Sequence, residues 1–243
     1  MVLKSLIEII QDNYQGKYIV LEGLDGSGKT SLKDWLEEQL TNTFSVREPG
    51  STEFGEEIRY LLLNSKHKLQ ALTELFLFMA SRTELLNQKV IPALKDNKIV
   101  LSDRSYISSF AYQAYPANIS VDYFEQTVKQ IYCQQKIDVI LYAKVDYRVG
   151  LARSGAVRAH DNMEAKGDQF YQRTEAGYNL YLENFKAQAQ AITNLAYVEA
   201  SKANEVEVYQ NAQGTYLVIL NAQLSEQEVR ELFVQTLASL QLN

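Results

Sequence analysis

Five short apolar runs punctuate the chain, at residues 18–22, 44–47, 99–102, 139–143 and 216–220, and between them apolar residues recur three and four positions apart. Runs of four or five apolar residues are too short for helices and read as buried strands, whereas the three-and-four spacing reads as amphipathic helix. The helical stretches are 31–40, 55–63, 69–94, 120–135, 167–194 and 225–240, and Pro92 is predicted to kink or end the third. Strand and helix in alternation predict an α/β fold. Its form is a three-layer sandwich, with a mostly parallel five-stranded sheet covered by helices on both faces. Two stretches break the rhythm. Residues 154–166 are polar and aperiodic and read as a loop, and in 200–214 the run Val206-Glu207-Val208-Tyr209 can pair with residues from 215 onward around Asn211-Ala212-Gln213-Gly214, as a hairpin. With 3 prolines and no Pro/Gly/Ser-rich linker, the 243 residues are expected to form one domain.

The first strand, ending Tyr18-Ile19-Val20-Leu21-Glu22, runs directly into Gly23-Leu24-Asp25-Gly26-Ser27-Gly28-Lys29-Thr30 and then Ser31 at the head of a helix. This is the phosphate-binding P-loop spacing in its proper context, and it makes the sandwich one of the P-loop NTPase type. The glycines let backbone N–H groups wrap a phosphate, Lys29 reaches its terminal oxygens, Thr30 can ligate Mg²⁺, and the helix N-terminus favours anions. The motif implies a nucleoside triphosphate without saying what is done with it.

Composition narrows the partners. A net charge of −6 argues against a broad electrostatic grip on nucleic acid or an anionic membrane, so phosphate recognition falls to local arginines and to a small-molecule ligand. The single Cys133 excludes an internal disulfide, and His67 and His160 are too few for a histidine-based metal centre; a reducing, cytoplasmic setting is expected. Near the N-terminus, Lys4 and Glu8 interrupt Leu6, Ile7, Ile9 and Ile10, and no segment approaches the ~20 apolar residues of a membrane span.

A second chemical feature closes the strand 99–102. Asp103 stands where a P-loop enzyme needs a carboxylate to hold Mg²⁺ or its water, and Arg104 places a phosphate-binding fork at the same sheet edge. Phe78 lies four residues before Arg82 on one helix face, so a ring can stack on a base while a guanidinium reaches toward the same nucleotide.

These pieces stand in a familiar order. The P-loop, Arg47-Glu48-Pro49-Gly50-Ser51-Thr52, Phe78-Met79-Ala80-Ser81-Arg82 and Asp103-Arg104-Ser105-Tyr106-Ile107-Ser108-Ser109-Phe110-Ala111-Tyr112-Gln113 resemble, in register, the motifs of the thymidylate kinase family. Phe170-Tyr171-Gln172-Arg173-Thr174-Glu175-Ala176-Gly177-Tyr178 is similar to that family's helix after the lid, and the resemblance covers residues 17–195 and resumes at 216. It implies transfer of the ATP γ-phosphoryl group to thymidine monophosphate (dTMP) with Mg²⁺ as cofactor, in a homodimer. It also implies that Arg47, Glu48, Pro49, Phe78, Arg82, Arg104, Ser108, Ser109, Tyr112 and Gln113 hold the acceptor nucleotide. Tyr112 would face the deoxyribose and Gln113 the base, with Asp25 near the sugar's 3′-hydroxyl.

Lys29, Asp103 and Arg104 are the catalytic candidates at the sheet edge. The family supplies a further catalytic arginine either from the P-loop or from the lid. No arginine lies between Gly23 and Gly28, so the chain resembles the lid-arginine type, with Arg153 and Arg158 as candidates and Arg158 in better register with Asp161. The chain departs from the family pattern at Asn162 and at Glu175, both positions where an arginine is common. A lid of about 153–166, an N-terminal extension 1–16 and the extra segment 200–214 complete the outline. The runner-up reading is a deoxynucleoside kinase, which phosphorylates a nucleoside 5′-hydroxyl with a carboxylate base. A guanine-reading switch would need Asn-Lys-x-Asp, which is absent.

Overall fold

The computed structural model describes residues 2–67, 69–132, 135–155 and 168–242. All five expected strands are present, as β1 (Tyr18–Glu22), β2 (Thr43–Arg47), β3 (Ile99–Asp103), β4 (Val139–Lys144) and β7 (Tyr216–Asn221). They pair in parallel in the order β2-β3-β1-β4-β7. The sheet is larger than five strands, however. β6 (Val206–Asn211) and β5 (Ala189–Ala191) extend it antiparallel beyond β7, giving seven.

The first of these two additions is the expected hairpin. Val206 pairs with Leu220 and Gln210 with Tyr216, around a turn in which Asn211 Oδ1 accepts from Gln213 N at 3.1 Å and Thr215 N at 2.9 Å. The second falls inside the stretch expected to be helix to residue 194. That helix, α9 (Asp168–Ala187), stops early, because the exposed edge of β6 offers Ala189–Ala191 a ladder that overrides the helix preference of an Ala/Gln sequence.

Strand periodicity divides the core into two layers. Tyr18 and Val20 of β1 point into one, with Val100, Ile140, Leu217 and Ile219; Ile19 and Leu21 point into the other, with Leu101, Leu141, Val218 and Leu220. The first layer is closed by α4 (Ala71–Leu85), α6 (Tyr106–Ser109), α7 (Val121–Tyr132) and α9, and the second by α1 (Val2–Asn13), α2 (Lys29–Gln39) and α10 (Glu226–Ser239). Residues 1–16 thus gain a structural role: Leu6 and Ile10 of α1 are buried against α10, and Tyr14 donates to Leu237 O at 2.8 Å.

Pro92 neither ends nor sharply breaks its helix. The chain passes from α4 through a π turn (Leu86–Val90) into α5 (Ile91–Lys95), placing Pro92 in the first turn of α5, where its missing N–H costs little. α3 (Glu53–Asn64) and α8 (Tyr147–Gly155) complete the helices that matter here. Because the five parallel strands point the same way, Glu22, Arg47, Asp103, Lys144 and Asn221 all end on one edge of the sheet. Ligands of open α/β sheets collect at this edge.

Candidate active site

A cavity of about 370 Å³ opens along that edge, running from the P-loop to the helices that follow β2 and β3. At one end Gly28, with φ 82°, caps α2 without a side chain, which leaves the N–H groups of the first helical turn directed at the loop. Gly26 must be small for another reason: a Cβ there would lie 2.0 Å from the Gly150 carbonyl of α8, so the P-loop and α8 touch backbone to backbone. Lys29 lies across the loop, its Nζ 3.2 Å from Leu24 O and 3.9 Å from Asp25 Oδ1. Burial, with Arg104 nearby, pulls its ammonium down to about 8, against the pull of Asp25, Asp103 and Glu22. Gly23, Leu24 and Ser27 shape the loop from beneath and do not line the cavity, whereas Asp25, Gly26, Gly28, Lys29, Thr30 and Ser31 do.

Thr30 Oγ donates to Asp103 Oδ2 at 2.5 Å, while Asp103 Oδ1 is buried with no hydrogen-bond partner. A hydroxyl and an unspent carboxylate oxygen side by side at a P-loop fit Mg²⁺, which takes one or two protein oxygens and fills its remaining positions with phosphate and water.

Arg104 bridges the two halves of the cavity. Its backbone is left-handed, φ 75°, and its guanidinium pairs with Asp25, donates to Ser108 Oγ at 3.0 Å, and sits 5.1 Å from the Tyr112 ring centroid. Tyr112 in turn donates to Asp25 Oδ2 at 3.3 Å. Next along this wall, the Gln113 amide donates to Glu74 Oε2 at 3.2 Å and leaves its buried Oε1 without a partner. Phe78, Pro49 and Arg47 line the opposite wall, Arg47 tied to Glu56 at 2.9 Å in an exposed pair.

Arg82 behaves differently from the expectation that its guanidinium reaches into the site. It is 1% exposed and does not line the cavity; it pairs with Glu48 at 2.5 Å and donates to Ser109 Oγ at 2.9 Å. Burial opposes its charge, but Glu48 alongside outweighs that and raises its pKa. Ser109 likewise stays behind the wall, while Glu48 reaches the cavity. Arg153 lines the cavity and donates to Ala222 O, just beyond β7, at 2.8 Å. Arg158, with most of the expected lid, lies outside the described residues.

Sequence reasoning missed four participants. Arg59 of α3 lines the cavity and donates to Pro49 O at 3.0 Å. Burial, with Arg47 and Arg104 near, lowers its pKa against the pull of Glu56 and Asp103. Its one sequence signal is a lone arginine beside the buried stripe Ile58 and Leu62. Gly150 carried no motif. Glu22 and Tyr178 form a hydrogen-bonded pair beneath Arg104, 3.0 Å apart; an acidic residue closing an otherwise apolar strand was the available signal.

Comparison with known proteins settles the kinship. The family model described as thymidylate kinase matches residues 21–206. The chain belongs to the thymidylate kinase family. Among its relatives is a thymidylate kinase of Nitrosospira multiformis, 37% identical over 168 residues, covering 68% of this chain and 82% of that one. One from Pelotomaculum thermopropionicum is 35% identical over 201 residues, covering 79% and 89%. The crystal structure of thymidylate kinase from Ehrlichia chaffeensis superposes with a TM-score of 0.55 at 30% identity, covering 69% of this chain and 82% of that chain. Members of this family transfer phosphate from ATP to dTMP. No described helix is long and apolar enough to cross a membrane.

Proposed function

We infer that this chain catalyses ATP + dTMP → ADP + dTDP. The observation that carries the reading is the continuity of one cavity, which joins a P-loop at its donor end to an acceptor end lined by Arg47, Arg59, Arg104 and Phe78. ATP phosphates lie along Gly26, Gly28 and the first turn of α2, with Lys29 across the β- and γ-groups. Thr30 and Asp103 hold Mg²⁺, which when bound neutralises the charge gathering on the transferred phosphoryl group.

The acceptor phosphate sits between Arg59 and Arg104, with Arg47 at the rim. Phe78 stacks on thymine, the orphan Gln113 Oε1 accepts the imide N–H, and Tyr112 lies against the deoxyribose, where it crowds a 2′-hydroxyl. Arg82 supports this wall from behind through Glu48 and Ser109. Phosphoryl transfer leaves little covalent work to the protein, so rate comes from holding the acceptor oxygen in line and placing cations around the migrating group. Arg153 and Arg158 bring the lid's share of that charge. The deoxynucleoside-kinase alternative is disfavoured by this cation-rich acceptor end, where Arg47, Arg59 and Arg104 all line the cavity.

The chain works as a cytoplasmic homodimer in this reading, covering the exposed Tyr60 and Leu61 of α3 and Leu72 and Phe76 of α4. A panel of acceptors with ATP and Mg²⁺ tests the activity through ADP release. dTMP is turned over, with thymidine at background; turnover of thymidine but not dTMP would overturn the reading.

A further inference from the structure

Beneath the cavity lies a fully buried carboxylate that the phosphoryl-transfer chemistry does not use. Glu22, the last residue of β1, is 0% exposed and receives five hydrogen bonds. Ser105 N and Ser105 Oγ each donate to Oε1 at 2.7 Å and Ser108 N donates at 3.2 Å, while Ser108 Oγ and Tyr178 OH donate to Oε2 at 2.6 and 3.0 Å. A buried carboxylate of this kind is costly unless several donors converge on it, and here three residues, two on α6 and its cap and one on α9, supply them.

The two hydroxyls on Oε2 are the same two that Arg104 uses. Arg104 Nη1 donates to Ser108 Oγ at 3.0 Å and to Tyr178 OH at 3.4 Å. Each hydroxyl owns a single proton, and burial keeps the Tyr178 phenol protonated. The Ser108 proton runs to Glu22 at 2.6 Å, and the Tyr178 proton runs to Glu22 at 3.0 Å, a shorter path than the 3.4 Å to Gly23 O, or reaches it through Ser108, 2.8 Å away. Both oxygens therefore turn lone pairs, and not hydrogens, toward the guanidinium. The backbone is held from the same place: the Arg104 N–H is fixed on Leu21 O at 2.9 Å and the next N–H, of Ser105, on Glu22, clamping the left-handed turn on both sides.

We propose that Glu22 is the positioning residue of the acceptor site: it sets the hydroxyl orientation and the backbone turn that aim Arg104 at the acceptor phosphate. This rests on the reading of Arg104 as an acceptor ligand. The discriminating variant is Glu22→Gln. Its amide oxygen is best placed at Oε1, where the backbone N–H groups converge, so the amide nitrogen falls at Oε2 and donates to Ser108 and Tyr178. Their protons then face Arg104.

Steady-state kinetics of the full chain, with thermal melting as the control for folding, test this. Glu22→Gln raises KM for dTMP at least tenfold, with KM for ATP within about threefold and a cooperative melt retained. Tyr178→Phe raises KM for dTMP severalfold in the natural background and has no further effect in Glu22→Gln, because the hydroxyl it removes no longer presents a lone pair. A dTMP KM that is unchanged in Glu22→Gln, KM values for both nucleotides rising together, or additive effects of the two substitutions would overturn the proposal. Should Glu22→Gln fail to fold, Tyr178→Phe decides alone: a rise in KM for dTMP but not ATP supports it, and no change refutes it. A natural chain that binds ATP but not dTMP would instead refute the acceptor reading itself.

Discussion

Two arginine–carboxylate pairs stand at the proposed acceptor end of the cavity, and they do opposite things. Arg82 and Glu48 are almost sealed, with side chains 1% and 3% exposed, and the guanidinium is spent on Glu48, Ser109 and Met79. Arg104 and Asp25 are 18% and 22% exposed and line the cavity. The sealed pair is a fixed strut, because separating two charges in the interior leaves each without solvent or partner. The open pair is poised, because water or a phosphate can replace Asp25 at little cost. Both residues are arginines paired with a carboxylate; what separates them is how much solvent each can reach.

Crossed substitutions break the comparison most directly. Glu48→Ala strands the Arg82 charge, and unfolding should become easier by about 3–5 kcal/mol, which for a domain of this size lowers Tm by roughly 10 °C. Arg104→Ala should leave Tm nearly unchanged and weaken dTMP binding roughly 100-fold, the loss of a charged ligand to phosphate. Melting curves and dTMP titrations on both variants check this. A Glu48→Ala protein as stable as the parent, or an Arg104→Ala protein that binds dTMP normally, erases the distinction.

The same contrast explains what the sequence made legible. The P-loop, the five parallel strands and the separate places of Thr30 after the loop and Asp103 at a strand end could be read because they depend on local spacing and strand period, which side chains advertise directly. The fate of Arg82 could not, since Glu48 lies 34 positions away and only the packed fold shows that both are sealed. Glu22 was hidden likewise: its five donors come from Ser105, Ser108 and Tyr178, and no one-dimensional pattern joins them. At Ala189–Ala191, helix-favouring residues became a strand because β6 left an edge to pair. Gly150 has no local signature at all; it matters because the Asp25 carbonyl would sit 2.5 Å from any Cβ placed there.

Lys29 extends the comparison to the donor end, with a signed pH dependence. Its ordinary value of 10.5 falls to about 8 in the folded protein, so the unfolded chain holds this proton more tightly. Below about pH 8 both states are protonated, and the group's destabilising contribution is full and constant. Between about 8 and 10.5 that contribution is relieved and the unliganded fold gains stability as pH rises. In the proposed reading the charged ammonium holds ATP, so ATP affinity should move the other way, falling about tenfold between pH 7 and pH 9. In Lys29→Met both trends flatten. Isothermal titration across this range measures them, and an ATP affinity that stays level in the natural chain while Lys29→Met is weak would mean that ligand-free burial does not suppress the charge.

The smallest effect asks whether α8, which bears Arg153 and abuts the P-loop, belongs with the strut or with the poised pair. The Glu175 carboxylate accepts from Tyr147 N at 3.2 Å, at the start of α8. Burial and the neighbouring Asp146 raise its pKa, so ionising it is costly there, while the helix N-terminus and the bond to Tyr147 favour it. Glu175→Gln keeps an acceptor and removes the costly charge, and stability should change by less than about 0.5 kcal/mol. Glu175→Ala removes the acceptor as well; it should cost about 1 kcal/mol, the scale of a lost cap, and reduce kcat severalfold as α8 loosens against Gly26. If Ala and Gln behave alike in both Tm and kcat, the bond to Tyr147 holds nothing in place, and the seat of α8 rests on the Gly26–Gly150 contact, the Arg153 bond to Ala222 O and the packing of Val149 and Leu151.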